Sequence, residues 1–275
     1  MTLPLIAIIG TGNMGEALLS GLIASGHPRE NLVTSDPSED RLTQIKARWG
    51  VKTSQNNRDA IVDAPIILFA VKPQQLKEVI LEQKNLILEK KPLIISIAAG
   101  VGESTIRSWL NEDIAIVRAM PNMPALIQTG MTALFANKHV SQENRNLAES
   151  VLRAVGVTVW MTEEAQMDIA TAVSGSGPAY FFYIMEALQE AGVSLGLSEN
   201  VARLLTIQTA FGAARMVLES DETLATLCKQ VISKGGTTEQ AIQIFEKSHL
   251  KAIFKDAVNQ ACSRSQELAT LLAGA

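Results

Sequence analysis

The chain has 275 residues, long enough for two domains that each bury a core of their own. Hydrophobic residues make up 47% of it and charged residues 19%, which describes a soluble globular protein and excludes a disordered or fibrous one. A net charge of −4 without any Lys/Arg cluster speaks against a nucleic-acid partner.

The sequence opens directly on the apolar run Leu5–Ile9, with no charged region and long apolar core of a signal peptide, so a cytoplasmic location is expected. Gly10-Thr11-Gly12-Asn13-Met14-Gly15 follows at once and leads into a helix expected over 13–25. A glycine fingerprint between a strand and a helix is where dinucleotides bind: the first glycine allows the turn, the second admits a pyrophosphate and the third lets helix and strand approach. All six residues are therefore cofactor candidates, for NADPH or NADH. An ordinary strand-to-helix turn is the competing reading.

A second strand expected near 32–36 ends in Ser35 and Asp36, the latter 21 residues past Gly15 (36 − 15). A carboxylate there accepts hydrogen bonds from a ribose 2′-OH and repels a 2′-phosphate, favouring NADH. Against this, Arg41 can reach a phosphate and Asp36-Pro37 is also a turn opening. Ser35 and Asn57 are assigned to the same cofactor edge.

Further strands are expected near 66–71, 93–97, 114–119, 131–136 and 157–161, with helices near 39–48, 74–85, 103–110 and 141–154. Such alternation predicts a doubly wound parallel sheet of the Rossmann type. Ile66–Val71 and Leu93–Ile97 are apolar throughout, as in central strands buried on both faces.

Beyond Thr162 helical spacing runs to Ala275, broken near Gly175–Pro178, Gly192–Gly196 and Gly235–Gly236, so residues 1–162 form an α/β domain and 163–275 an all-α one. The stretch Arg203–Leu218 is apolar around most of its circumference. Arg203, Gln208 and Arg215 interrupt it too often for a membrane span, so a partner subunit or the interior of one subunit must cover it. Cys228 and Cys262 stand apart and are expected as buried free thiols, and no His or Cys sits at metal-ligand spacing.

Ser174-Gly175-Ser176-Gly177-Pro178-Ala179-Tyr180 followed by Ser233-Lys234-Gly235-Gly236-Thr237-Thr238 resembles the signature of pyrroline-5-carboxylate reductases. Ala70-Val71-Lys72-Pro73, Ser96–Gly100 and Arg118–Ala125 resemble that family's other signatures, in its order. The resemblance implies a Rossmann domain and a helical dimerisation domain. It also implies reduction of the ring C=N of 1-pyrroline-5-carboxylate by NAD(P)H to L-proline, the last step of proline synthesis. The expected assembly is a homodimer, open to a larger ring such as a decamer of dimers, with each site close to the partner.

Chemistry fits these positions. Ala70, Val71, Lys72 and Pro73, and Ala98, Ala99 and Gly100, fall at strand ends, where they can line the nicotinamide and its ribose. Asn122 and Pro124, with Ser174, Gly175 and Ser176, are expected against the substrate. Ser233 and the amides of Gly235, Gly236 and Thr237 are natural carboxylate holders. The resemblance puts the Thr238 hydroxyl on the ring nitrogen, although a helix cap is the alternative role. Lys72 is the second candidate catalytic group, with cofactor orientation or solvent contact as its alternatives. Lys234 and Leu224 stand where the family has proline. A β-hydroxyacid dehydrogenase or imine reductase type of enzyme, and a non-enzymatic NAD(P)H sensor, are the rival readings. The Gly-rich Lys…Asn pattern of the first rival is absent after Thr162, and a sensor has no use for two substrate loops.

Overall fold

The computed structural model describes residues 3–274. In chain order the first part holds β1 (Ile6–Ile9), α1 (Asn13–Ala24), β2 (Leu32–Ser35), α2 (Glu39–Trp49), β3 (Lys52–Ser54), α3 (Asn57–Ile61), β4 (Ile66–Phe69), α4 (Pro73–Glu82), α5 (Lys84–Lys90) and β5 (Leu93–Ser96). It continues with α6 (Glu103–Leu110), β6 (Ile116–Met120), β7 (Gly130–Ala136), α7 (Gln142–Arg153), β8 (Gly156–Trp160) and α8 (Gln166–Ala170). Then come α9 (Gly177–Ser194), α10 (Glu199–Leu218), α11 (Leu224–Val231), α12 (Thr237–Lys247) and α13 (Leu250–Gly274), with no strand among the described residues after β8.

Eight strands form one sheet in the order β3-β2-β1-β4-β5-β6-β7-β8. Alternate residues of β1 feed opposite layers: Ile6 and Ile8 pack with Leu18, Leu22 and Val155, while Ala7 and Ile9 pack with Leu76, Ile80 and Ile106. Burial on both faces is what the continuous apolar runs require, and each such fully buried aliphatic side chain contributes about 1.5–3 kcal/mol.

Three features depart from the sequence reading. The sheet is not wholly parallel, because β7 runs antiparallel to β6. Residues 121–129 between them carry only a short 3-10 turn, Met123–Ile127, and a parallel return needs a crossover of a dozen residues or more. An eighth strand, β3, and the short α3 lack the apolar pattern that reveals an element: Lys52, Thr53 and Ser54 lie at the sheet edge, none of them buried. The expected helix over 74–85 is two helices, α4 and α5, broken at Gln83.

The chain divides into two compact units, one running to Ser176 and resuming at Ala261, the other Gly177–Gln260. This division differs from a boundary after residue 162. Residues 163–176 pack with the sheet unit through the fully buried Met167 and Ala172, and the end of α13 rejoins it through Ser265 Oγ, which donates to Asp168 Oδ1 at 2.7 Å. In the helical unit, α9 and α10 pack against each other. Of α10 only Ala202 and Thr206 are buried, while Leu204, Leu205 and Phe211 face outward. The expectation of two buried thiols fails for Cys228, which is exposed because α11 buries none of its residues within the chain; Cys262 is half-buried, and both are free.

Candidate active site

The fingerprint is built at the carboxyl ends of β1, β2 and β4. Gly10 sits at φ +96°, and a Cβ there would lie 2.7 Å from the Ala70 carbonyl oxygen. A Cβ on Gly15 would overlap the carbonyl oxygen of Gly10, so α1 can start this close to the turn only with glycine. Around Gly12 nothing lies within 4 Å of the same position. Gly12 is also the N-cap of α1 and no side chain caps it, so the first N–H groups of the helix face open space. A glycine cradle at an uncapped helix N-terminus fits a pyrophosphate.

Around the cradle the side chains hold one another. Asp36 Oδ2 accepts from both the Thr11 N–H and the Thr11 hydroxyl, at 2.9 Å each, and Asp36 Oδ1 accepts from the Ser38 N–H at 3.0 Å. Arg41 Nε donates to the Thr11 carbonyl at 2.8 Å, and its Nη2 is paired with Glu16. Glu16 also accepts from Arg48 and from the Trp49 indole, at 3.0 Å each. Burial pushes the Glu16 carboxyl up, but the hydrogen bonds from Trp49 and Arg41 and the charges of Arg41 and Arg48 outweigh it and hold the group below the usual carboxylate range. Ser35 Oγ donates to Asn57 Oδ1 at 2.6 Å, which brings together two residues assigned to the cofactor edge.

The turns after β4 and β5 stand beside the cradle. Ala70 N–H donates to the Ile9 carbonyl at 2.8 Å, and Ile97 N–H to the Phe69 carbonyl at 3.1 Å. Lys72 is the exposed N-cap of α4 and Pro73 opens that helix, where proline's missing N–H costs nothing. Ala98 is buried, Ala99 exposed and Gly100 at φ +76°.

Asn122 follows β6 and its amide is fully used: Oδ1 accepts from the Met131 N–H at 2.9 Å, and Nδ2 lies 3.2 Å from the Ser174 carbonyl and 3.3 Å from its hydroxyl. Ser174 lies in a π-helical turn, Thr171–Gly175, whose widened hydrogen bonding is a frequent mark of functional sites. Asn122 thus fixes the Ser174 turn, while Pro124 sits half-buried in the following 3-10 turn.

In the helical unit the turn before α12 is preshaped. A Cβ on Gly236 would overlap Ser233 Oγ, and Gly235 adopts φ +72°. The Gly236 N–H donates to the Ser233 carbonyl at 2.9 Å and the Gly235 N–H to Glu239 Oε2 at 2.7 Å. Two of the expected carboxylate-binding amides therefore already have acceptors, while no side chain caps the start of α12 at Thr237 and Thr238. Gly236 is the N-cap, so Thr238 is not a cap. Leu224 is the first residue of α11, the helix position proline favours, and Thr223 caps that helix by accepting from the Thr226 N–H.

Sequence reading missed a second network. Glu164 Oε1 accepts from the buried Arg118 at 2.7 Å and from the Glu103 N–H at 2.7 Å, so it caps α6, whose own N-cap Gly102 has no side chain. The partners are 46 and 61 residues apart, and no local pattern reports them.

With this geometry in place, comparison with known proteins is decisive. A family model described as pyrroline-5-carboxylate reductase dimerisation matches residues 164–268, and one described as NADP oxidoreductase coenzyme F420-dependent matches residues 5–100. A pyrroline-5-carboxylate reductase of Pseudomonas aeruginosa is 43% identical over 99% of both chains. The chain belongs to the pyrroline-5-carboxylate reductase family. A solved reductase from Coxiella burnetii superposes with a TM-score of 0.93 at 45% identity, covering 97% of this chain and 98% of that one. A Plasmodium falciparum pyrroline carboxylate reductase with NADP bound gives 0.86 at 30% identity, over 98% and 99%. The pyrroline-5-carboxylate reductase dimerisation match includes α9 to α12 in full, the helices with the outward apolar side chains, and the chain self-associates.

Proposed function

We propose that this chain reduces the ring C=N bond of 1-pyrroline-5-carboxylate to give L-proline, with NADPH or NADH as the reductant. The observation that carries the reading is the Gly10–Gly12–Gly15 cradle at an uncapped helix start, in a chain that also keeps the Ser174 and Ser233–Thr238 turns. The bound dinucleotide supplies a hydride to the ring carbon, and the nitrogen takes one proton.

The chain's own residues bind and orient. The N–H groups opening α1, from Asn13, Met14 and Gly15, meet the pyrophosphate, while Asp36, Asn57 and Arg41 face the adenosine ribose and the fully buried Ser35 holds Asn57 in place from behind. Ala70–Pro73 and Ala98–Gly100 line the nicotinamide, with Lys72 orienting the cofactor at the α4 start. Because position rather than acid strength limits such a transfer, the site needs no strongly perturbed acid. The amides of Thr237 and Thr238 hold the substrate carboxylate at the positive end of α12. The Thr238 hydroxyl both donates and accepts, so it can pass a proton from water to the ring nitrogen.

The assembly is a homodimer formed through the helices after Glu163, a building block for a larger ring, with each site close to the partner. α10 is long and apolar enough to cross a bilayer by length and composition, so its charged residues do not exclude a span as the sequence reading expected; its place within the dimerisation segment supports a second subunit as the cover of its apolar surface. The enzyme acts in the cytoplasm, without a membrane or nucleic-acid partner. Oxidation of NADPH or NADH dependent on added 1-pyrroline-5-carboxylate, with proline as product, tests the reading. Cofactor binding without turnover would leave the sensor.

A further inference from the structure

The hydrogen bonds that hold the turn Ala98–Gly100 are long, the Ala98 N–H reaching Ser96 Oγ at 3.4 Å. Ala99 is exposed, Gly100 has no side chain, and the Val101 N–H reaches the Ala98 carbonyl only at 3.4 Å. What covers it comes from the far end of the chain. A Cβ on Gly100 would stand 3.4 Å from Leu272 Cδ1 and 3.6 Å from the Ala269 nitrogen, so the last turns of α13 lie directly on this glycine.

Leu272 packs against the buried cluster that contains Leu76, Ala98, Val101 and Ile106, and it lines a surface cavity of about 550 Å³ together with Pro73, Gln74 and Trp109. One side chain therefore borders both strand-end turns, that of Pro73 and that of Gly100. α13 is fixed seven residues earlier (272 − 265) by the buried Ser265, whose hydroxyl donates to Asp168 at 2.7 Å.

We infer that Leu272 is a positioning residue that clamps the two nicotinamide-side turns in their cofactor-binding form. The inference rests on the reading of Ala70–Pro73 and Ala98–Gly100 as cofactor turns. A turn held in its bound shape loses less freedom when the cofactor arrives, so removing the clamp weakens cofactor binding. Once the cofactor is bound it restrains the turns itself, and the rate of the chemical step changes little.

The test is a titration of NADPH and NADH, followed by nicotinamide fluorescence, alongside steady-state constants on the intact enzyme. Leu272→Ala raises the cofactor Kd and KM about three- to tenfold, while kcat and the KM for 1-pyrroline-5-carboxylate stay within about twofold. Leu272→Met, which refills the space, restores the cofactor constants. If the alanine variant does not fold, Leu272→Val serves in its place, with a rise of about two- to threefold. Gly100→Ala, strained by its positive φ, separates the two readings. Weaker cofactor binding in Gly100→Ala with unchanged binding in Leu272→Ala would overturn the clamp and leave the turn in the cofactor site. No change in either variant would overturn both, and a loss confined to substrate KM would overturn the clamp as well.

Discussion

One oxygen of Asp36 accepts both hydrogen bonds that Thr11 can donate, from its N–H and from its hydroxyl, at 2.9 Å each. The carboxylate is thus part of the wall of the cradle, and the proposed site makes it a neighbour of the adenosine ribose as well. Asp36→Ala is expected to raise the KM of both cofactors, by about tenfold for NADH, because two charge-assisted bonds that fix the loop disappear. NADPH suffers less, since the charge repelling a 2′-phosphate goes too, so the NADPH/NADH ratio of kcat/KM rises. An unchanged ratio would confine Asp36 to holding the loop.

Thr238 is the second residue of α12, with Gly236 filling the capping position. Its hydroxyl is therefore not committed to capping the helix, and the proposed site puts it on the substrate. Thr238→Ala is expected to lower kcat about 10- to 100-fold, because the contact to the ring nitrogen counts most while that nitrogen's charge changes. Wild-type steady-state constants would remove Thr238 from the site.

Lys234 and Glu239 flank the same turn with opposite charges, and Glu239 already accepts from the Gly235 N–H. Lys234→Gln is expected to raise the KM for 1-pyrroline-5-carboxylate, and Glu239→Gln to lower it, each by about two- to fivefold and less at high salt. Shifts of the same sign, or shifts in the cofactor KM instead, would contradict an electrostatic role for the pair.

Glu16 gives a pH-dependent signature of stability. Its folded value is lowered by Trp49, Arg41 and Arg48 against the opposing effect of burial. A group with a depressed folded pKa binds more protons when unfolded, so its stabilisation is complete above the ordinary value of 4.5 and is lost as pH falls through the lowered folded one. Thermal unfolding across the acid range should show Glu16→Gln destabilised near neutrality and converging on the parent toward the acid end. Parallel Tm curves would rule out this contribution.

Gly212 lies mid-way along α10, and a Cβ there would meet nothing within 4 Å in the chain itself. Gly212→Leu should leave the subunit folded and disrupt self-association if a second copy packs there. Sedimentation at dilute, active concentrations reads the outcome, and an unchanged assembly would place the interface elsewhere.

Which parts of this were legible in the sequence follows from the range of the interactions. Gly10, Gly12 and Gly15 could be read because each serves a backbone requirement set by its immediate neighbours. β4 and β5 could be read because burial on both faces demands an unbroken apolar run. The direction of β7 could not, since it depends on the shortness of residues 121–129 rather than on strand pattern. Asn122 could be placed near the site, but its service to Met131 and Ser174 could not, because both partners lie across the fold. The same holds for Glu164 at Arg118 and for Leu272 at Gly100, contacts between residues far apart in the chain.

Isotope transfer tests the central claim most directly. With NADPH or NADH carrying two deuterium atoms at nicotinamide C4, turnover of 1-pyrroline-5-carboxylate should give L-proline with a single deuterium on the ring carbon that is bonded to nitrogen and does not bear the carboxylate. Unlabelled proline, label at another carbon, or oxidation of the cofactor without proline formation would contradict direct hydride transfer to the imine carbon.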